Sequence, residues 1–191
     1  MMKQISTLSL LLILASCSIY ANQTPAQLNA EALKIIQAGA NEDDLEQVMK
    51  LTSRAIEKDG GFLPARFTRI NAMLQRGDLK GVVEEAEAIE SIDSTPENQL
   101  YVCMAREAAK PGYPGQQSCY SDVINTMNKT GRSAEDDANY LMAMKLANHP
   151  DFETSVWRYI ENQKSDAARE AAEFMFIESS RDEALNSYFQ P

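Results

Sequence analysis

The sequence predicts an all-α protein built from stacked helical hairpins, and two observations carry that expectation. From Leu28 onward the chain is rich in Ala, Glu, Leu, Met, Lys and Gln and has few β-branched runs. Glycines and prolines sit at expected breaks such as Gly60-Gly61, Gly77, Pro111-Gly112, Pro114-Gly115, Gly131 and Pro150, where they punctuate helices. The second observation is a recurrence. Asp44-Leu45-Glu46-Gln47-Val48 and Asp78-Leu79-Lys80-Gly81-Val82 begin 34 residues apart, and the same offset relates Asp59 to Asp93. That is the period of a helix-turn-helix unit that cannot bury its apolar face alone and stacks on copies of itself.

Bulk composition bounds the partners. A chain of 191 residues, 44% hydrophobic, is large enough for one folded domain with a continuous core. Asp and Glu outnumber Lys and Arg by 28 to 18, a formal charge of −10. Nucleic acid and anionic membrane surfaces both need a basic patch to neutralise phosphates, so neither is expected as the main ligand.

In chain order, the first element has the shape of a secretory signal. Lys3 supplies one positive charge, and Leu8-Ser9-Leu10-Leu11-Leu12-Ile13-Leu14-Ala15 is apolar but too short to span a bilayer. Leu14-Ala15-Ser16-Cys17 resembles the lipobox of bacterial lipoproteins. The resemblance implies a signal peptide over residues 1–16, acylation of Cys17 with chains such as palmitate, and, with Ser18 following, export to the outer membrane. Cleavage after Ala21 to give a soluble periplasmic protein is the alternative. Residues 17–27 read as a tether without periodicity, and 28–191 as one helical domain.

Within that domain, residues 29–62 and 63–96 form two units, with Gly77-Asp78-Leu79 as a turn and helix start. A third unit begins at Glu97 and carries a longer turn, Lys110-Pro111-Gly112-Tyr113-Pro114-Gly115. A fourth starts near Asp136, capped by Ser133-Ala134-Glu135-Asp136 and turning at Asn148-His149-Pro150-Asp151. Ser165 to Glu178 reads as a capping helix, followed by a short one opened by Ser180-Arg181-Asp182-Glu183.

In this pattern the chain resembles a degenerate tetratricopeptide-repeat (TPR) array. The resemblance implies a right-handed stack of antiparallel helical hairpins with C-terminal capping helices. In that register Leu100, Cys103, Met104 and Glu107 lie on the inner face of the third unit's first helix. First helices of successive units line a concave groove in this family. The groove positions here are Leu33, Gln37 and Asn41; Phe67, Asn71, Leu74 and Gln75; Tyr101, Ala105 and Ala108; and Tyr140 and Met144. Aromatic anchors beside amides suit an extended or helical peptide, while in a degenerate array the same aromatics serve equally as core. The implied role is an envelope scaffold or assembly factor, pilotin-like in its most concrete form. It would bind an envelope protein or peptide segment while lipid holds it at the membrane. A soluble periplasmic chaperone or inhibitor is the alternative within the binding class.

With Cys17 lipidated or removed, Cys103 and Cys119 remain, and an oxidising compartment favours pairing them. A redox-active pair calls for a short C-x-x-C motif, which this chain lacks. His149 is the single histidine, too little for a His-based metal cluster or a triad, so no metal, cofactor or catalytic residue is expected. Glu42-Asp43-Asp44 and Glu135-Asp136-Asp137 fit helix starts, and Glu84-Glu85-Ala86-Glu87 reads as a solvated face. A cell-wall hydrolase, the hypothesis from another class, would need a convergent carboxylate pair that one sequence does not display.

Overall fold

The computed structural model describes residues 22–190; the signal peptide over 1–16 and Cys17 lie outside the described residues. It is all-α, with no strand among the described residues. The chain falls into two compact units, one extending to Ala72 and the other beginning at Met73.

The first unit opens with α1 (Pro25–Gln37), starting two residues before the expected end of the tether. The reason is a capping box: Gln27 N–H donates to Thr24 Oγ1 at 3.2 Å and Thr24 N–H to Gln27 Oε1 at 2.8 Å. Pro25 at the first helical position loses no intrahelical donor there. A second box, Asn41 with Asp44, starts α2 (Glu42–Lys58), whose acidic first turn and terminal Lys58 complement the helix dipole. Helices α1 and α2 pack together, and α3 (Leu63–Gln75) contributes Ala65 and Ala72 to the same core. Leu28, Ala32, Leu45, Val48, Leu51 and Ala55 fill that core at the 3–4 residue spacing of helical stripes.

In the second unit the chain turns at Gly77, where φ is +70°, a left-handed conformation that glycine adopts without strain. Asp78 then caps α4 (Leu79–Ile92), its Oδ1 accepting from Gly81 N–H at 2.9 Å. Gly81 is closely approached: a Cβ there would lie 2.5 Å from Asp78 Oδ2 and 3.0 Å from Met73 Sδ, so the capping carboxylate and the thioether would have to shift. Val82, Glu85, Ala86 and Ile89 form the buried stripe of α4. Glu85 is therefore buried, unlike the exposed Glu84 and Glu87, because it lies one turn from both Val82 and Ile89. The solvated face expected over 84–87 is interrupted at that residue.

Next come α5 (Pro96–Ala109), α6 (Gln116–Lys129), α7 (Ala138–Leu146), α8 (Phe152–Glu161) and α9 (Asp166–Glu173). Each packs on its predecessor. The cap of α7 is Asp137, not the Ser133–Asp136 run. Its Oδ1 accepts from Asn139 and Tyr140 N–H, while Oδ2 takes Arg132 Nη1 at 3.0 Å. Arg132 also pairs with Glu97. After α9 the helix widens into a π turn, Phe174–Glu178, where Ser179 N–H donates to Phe174 O at 3.0 Å. Ser179 and Ser180 are extended, and Ser180 caps α10 (Arg181–Asn186) with Glu183 as its reciprocal partner.

Candidate functional site

The expected groove positions divide into an open set and a covered set. In the first unit Leu33 and Phe67 are 37% and 47% exposed, large apolar side chains left in water, and Gln37, Asn41 and Asn71 are exposed too. In the second unit Leu74 is half-buried, and Tyr101 stacks on Phe189 with ring centroids 5.6 Å apart. Ala105 is buried, and so are Tyr140 at 7% and Met144 at 3% exposure. These last two are core residues in this structure, not groove walls. Tyr140 to Leu146 are all buried, because α7 is apolar round nearly its whole circumference and α5, α6, α8, the π turn and α10 all pack on it.

Part of that cover is the segment after α9, which sets Phe189 against Tyr101 and packs α10 on α5 and α7. Arg181 Nη1 donates to Glu107 Oε1 at 2.6 Å and Nη2 to Glu107 Oε2 at 2.9 Å, a bidentate pair with a carboxylate only 4% exposed. Its Nε and Nη2 also donate to Leu146 O at 3.1 and 2.8 Å, tying α10 to the end of α7. Tyr120 O–H donates to Glu107 Oε2 at 2.6 Å from α6. Lys145 Nζ donates to Phe176 O at 2.9 Å and Ser179 O at 2.6 Å, holding the π turn where it leads into α10. Four buried or half-buried polar side chains therefore satisfy one another and the carbonyls left over at helix ends.

Burial shifts the titration of this cluster. The Tyr120 phenol is pushed well up, first by desolvation and then by its hydrogen bond to Glu107, and burial raises Tyr101 to about 12. Lys145 is lowered by desolvation. A folded-state phenol pKa above the unfolded value stabilises the protein fully below about pH 10, the unfolded tyrosine value. That stabilisation is lost as pH rises toward the folded value, because only the unfolded chain releases the proton. Urea stability is therefore expected to fall from pH 10 to pH 12, more shallowly in Tyr120→Phe. Equal slopes in the two proteins would contradict the assignment.

Cys103 and Cys119 form a disulfide, with Cα atoms 5.8 Å apart, joining α5 to the start of α6 across the 110–115 turn. The bond opens on a cavity of about 260 Å³ lined by both cysteines together with Glu90 and Asp122. His149 Nδ1 accepts from Asp151 N–H at 3.2 Å, so the histidine shapes the turn before α8. Among the described residues no group of three or more His, Cys, Asp or Glu side chains is arranged to hold a metal ion, and no helix is long and apolar enough to cross a membrane.

Sequence reasoning placed Glu107 on the inner face of α5 but did not foresee its partner. The signal present was an inward carboxylate in an otherwise apolar stripe, which demands a cation; a second was Lys145 within Tyr140–Leu146. No family model matches the chain, and neither a curated protein nor a solved structure resembles it significantly.

Proposed function

We propose that this protein is an exported helical-repeat scaffold that binds a segment of another envelope protein, held at the outer membrane by lipid on Cys17. In this reading its hairpins stack as in the TPR family, and it has no catalytic step of its own. One observation carries the binding role. Leu33 and Phe67, at equivalent positions of α1 and α3, are large apolar residues exposed to water, and each is followed one turn later by an exposed amide, Gln37 or Asn71. An apolar anchor with an adjacent donor and acceptor is what peptide recognition uses. The disulfide is consistent with export, since such bonds persist in oxidising compartments.

The test is photo-crosslinking in cells from position 67, with identification of the captured protein. Phe67→Ala is expected to change unfolding stability by no more than about 0.5 kcal/mol, as for exposed sites, yet to lower capture from a probe at position 33 at least tenfold. Capture indistinguishable from background would sink the binding role. The anchor is tested separately: palmitate labelling is expected to vanish in Cys17→Ala, and its persistence would exclude that site.

A further inference from the structure

Tyr101 lies 34 residues after Phe67 and 68 after Leu33, so the repeat register makes it the third member of the same set. The first two are exposed to water, whereas Tyr101 carries a ring supplied by the chain itself, Phe189. Phe189 belongs to a stripe. Arg181 and Leu185 lie one turn apart on α10, Phe189 follows in the turn after its last residue, and all three turn inward. Leu185 and Phe189 are 5% and 8% exposed, while Asp182, Glu183, Asn186, Ser187 and Gln190 face water. This is how an amphipathic peptide lies on a receptor face, with anchors one turn apart.

The receptor face belongs to α5 and α7, the two helices on which α10 packs. It offers the Glu107 carboxylate for a guanidinium and the Tyr101 ring for an aromatic, with Leu185 buried between them in sequence. The occupant is weakly self-supporting. Helix α10 has six residues, too few to persist alone in water, and it leaves the π turn through the extended pair Ser179-Ser180. If the segment lifts away, Glu107 gains access to water and the segment's polar face is already in water, while Lys145 loses the nearby Glu183 carboxylate.

We infer that the face formed by α5 and α7 is a peptide-binding site occupied by the chain's own segment Arg181–Phe189. Its external partner is a segment with an arginine and a leucine one helical turn apart and an aromatic residue in the turn that follows, which competes for Glu107 and Tyr101. The inference rests on the protein-binding reading above and supplies the chemistry of the partner. Until a competitor arrives, the bound segment keeps this face closed.

The experiment uses full-length protein and a fluorescently labelled peptide with the sequence of residues 179–190, read by anisotropy. Arg181→Ala and Phe189→Ala proteins, which loosen the internal copy, are expected to bind the peptide at least tenfold tighter than wild type. A peptide with its arginine replaced by alanine is expected to lose that binding. In wild-type protein, backbone amides of residues 184–190 are expected to exchange at least a hundredfold faster than those of α7, through local opening. If both variants bind no tighter than wild type, the inference falls. Exchange of the segment only together with α7 overturns it as well, and needs no variant to fold. Failure of either kind, alongside specific capture from position 67, would leave the binding role standing and remove only this partner.

Discussion

Arg181→Ala is expected to lower the unfolding free energy by about 3–5 kcal/mol, the range for removing one partner of a buried charge pair. The geometry explains the size. Glu107 is 4% exposed and takes both of its nearest guanidinium contacts from Arg181, at 2.6 and 2.9 Å. Deleting the cation leaves a carboxylate out of water with only the Tyr120 hydroxyl to solvate it, and it strands Leu146 O as well. The observed loss is bounded above by the cost of lifting α10 off, since that movement lets water reach Glu107. Converting the cluster to apolar residues should recover most of it. The triple variant Glu107→Leu, Tyr120→Phe, Arg181→Met is expected to lie within about 1–2 kcal/mol of wild type, because buried ion pairs contribute little net stability over well-packed hydrophobic substitutes. Urea melts of the single and triple variants decide the matter. An Arg181→Ala loss under about 1 kcal/mol, the value of an exposed pair, would show that water already reaches Glu107 in the native state.

Reduction of the Cys103–Cys119 bond is expected to cost about 3 kcal/mol, the chain-entropy value for a closed loop of about 15 residues. The cysteines are 16 residues apart. For a chain of this length that corresponds to a fall of roughly 6–12 °C in Tm. The Cys103→Ala, Cys119→Ala double variant should melt near the reduced wild type and be insensitive to reductant. Identical melting of oxidised and reduced wild type would remove the staple from the account of stability.

The architecture was legible where local chemistry decides it. Val48 and Val82, related by the 34-residue offset, are both fully buried, and Gly77 and the 110–115 and 148–151 turns fall where glycine and proline put them. The acidic run Glu42-Asp43-Asp44 marked the start of α2 in the same way. The misplacements came from competition at short range. Thr24 and Gln27 form a capping box that pulls the start of α1 back to Pro25, into a stretch without periodicity. Asp137 displaces the Ser133–Asp136 run as a cap because Arg132 holds its second oxygen. For the groove residues the sequence left groove and core equally open, and Leu33 and Phe67 prove exposed. The fate of Tyr101, Tyr140 and Met144 was not legible, because it depends on elements that return from far along the chain. Glu107 and Arg181 are 74 residues apart, and no periodicity reports such a pairing.

The disulfide sits beside the buried carboxylate that receives Arg181. Cys103 and Glu107 are one helical turn apart on α5, and Cys119 immediately precedes Tyr120, whose hydroxyl holds Glu107. Oxidation of the two cysteines therefore fixes the register in which carboxylate and phenol meet. The covalent bond and the seat of Arg181 thus share one pair of helices, so a change in the packing of α5 on α6 is felt at both.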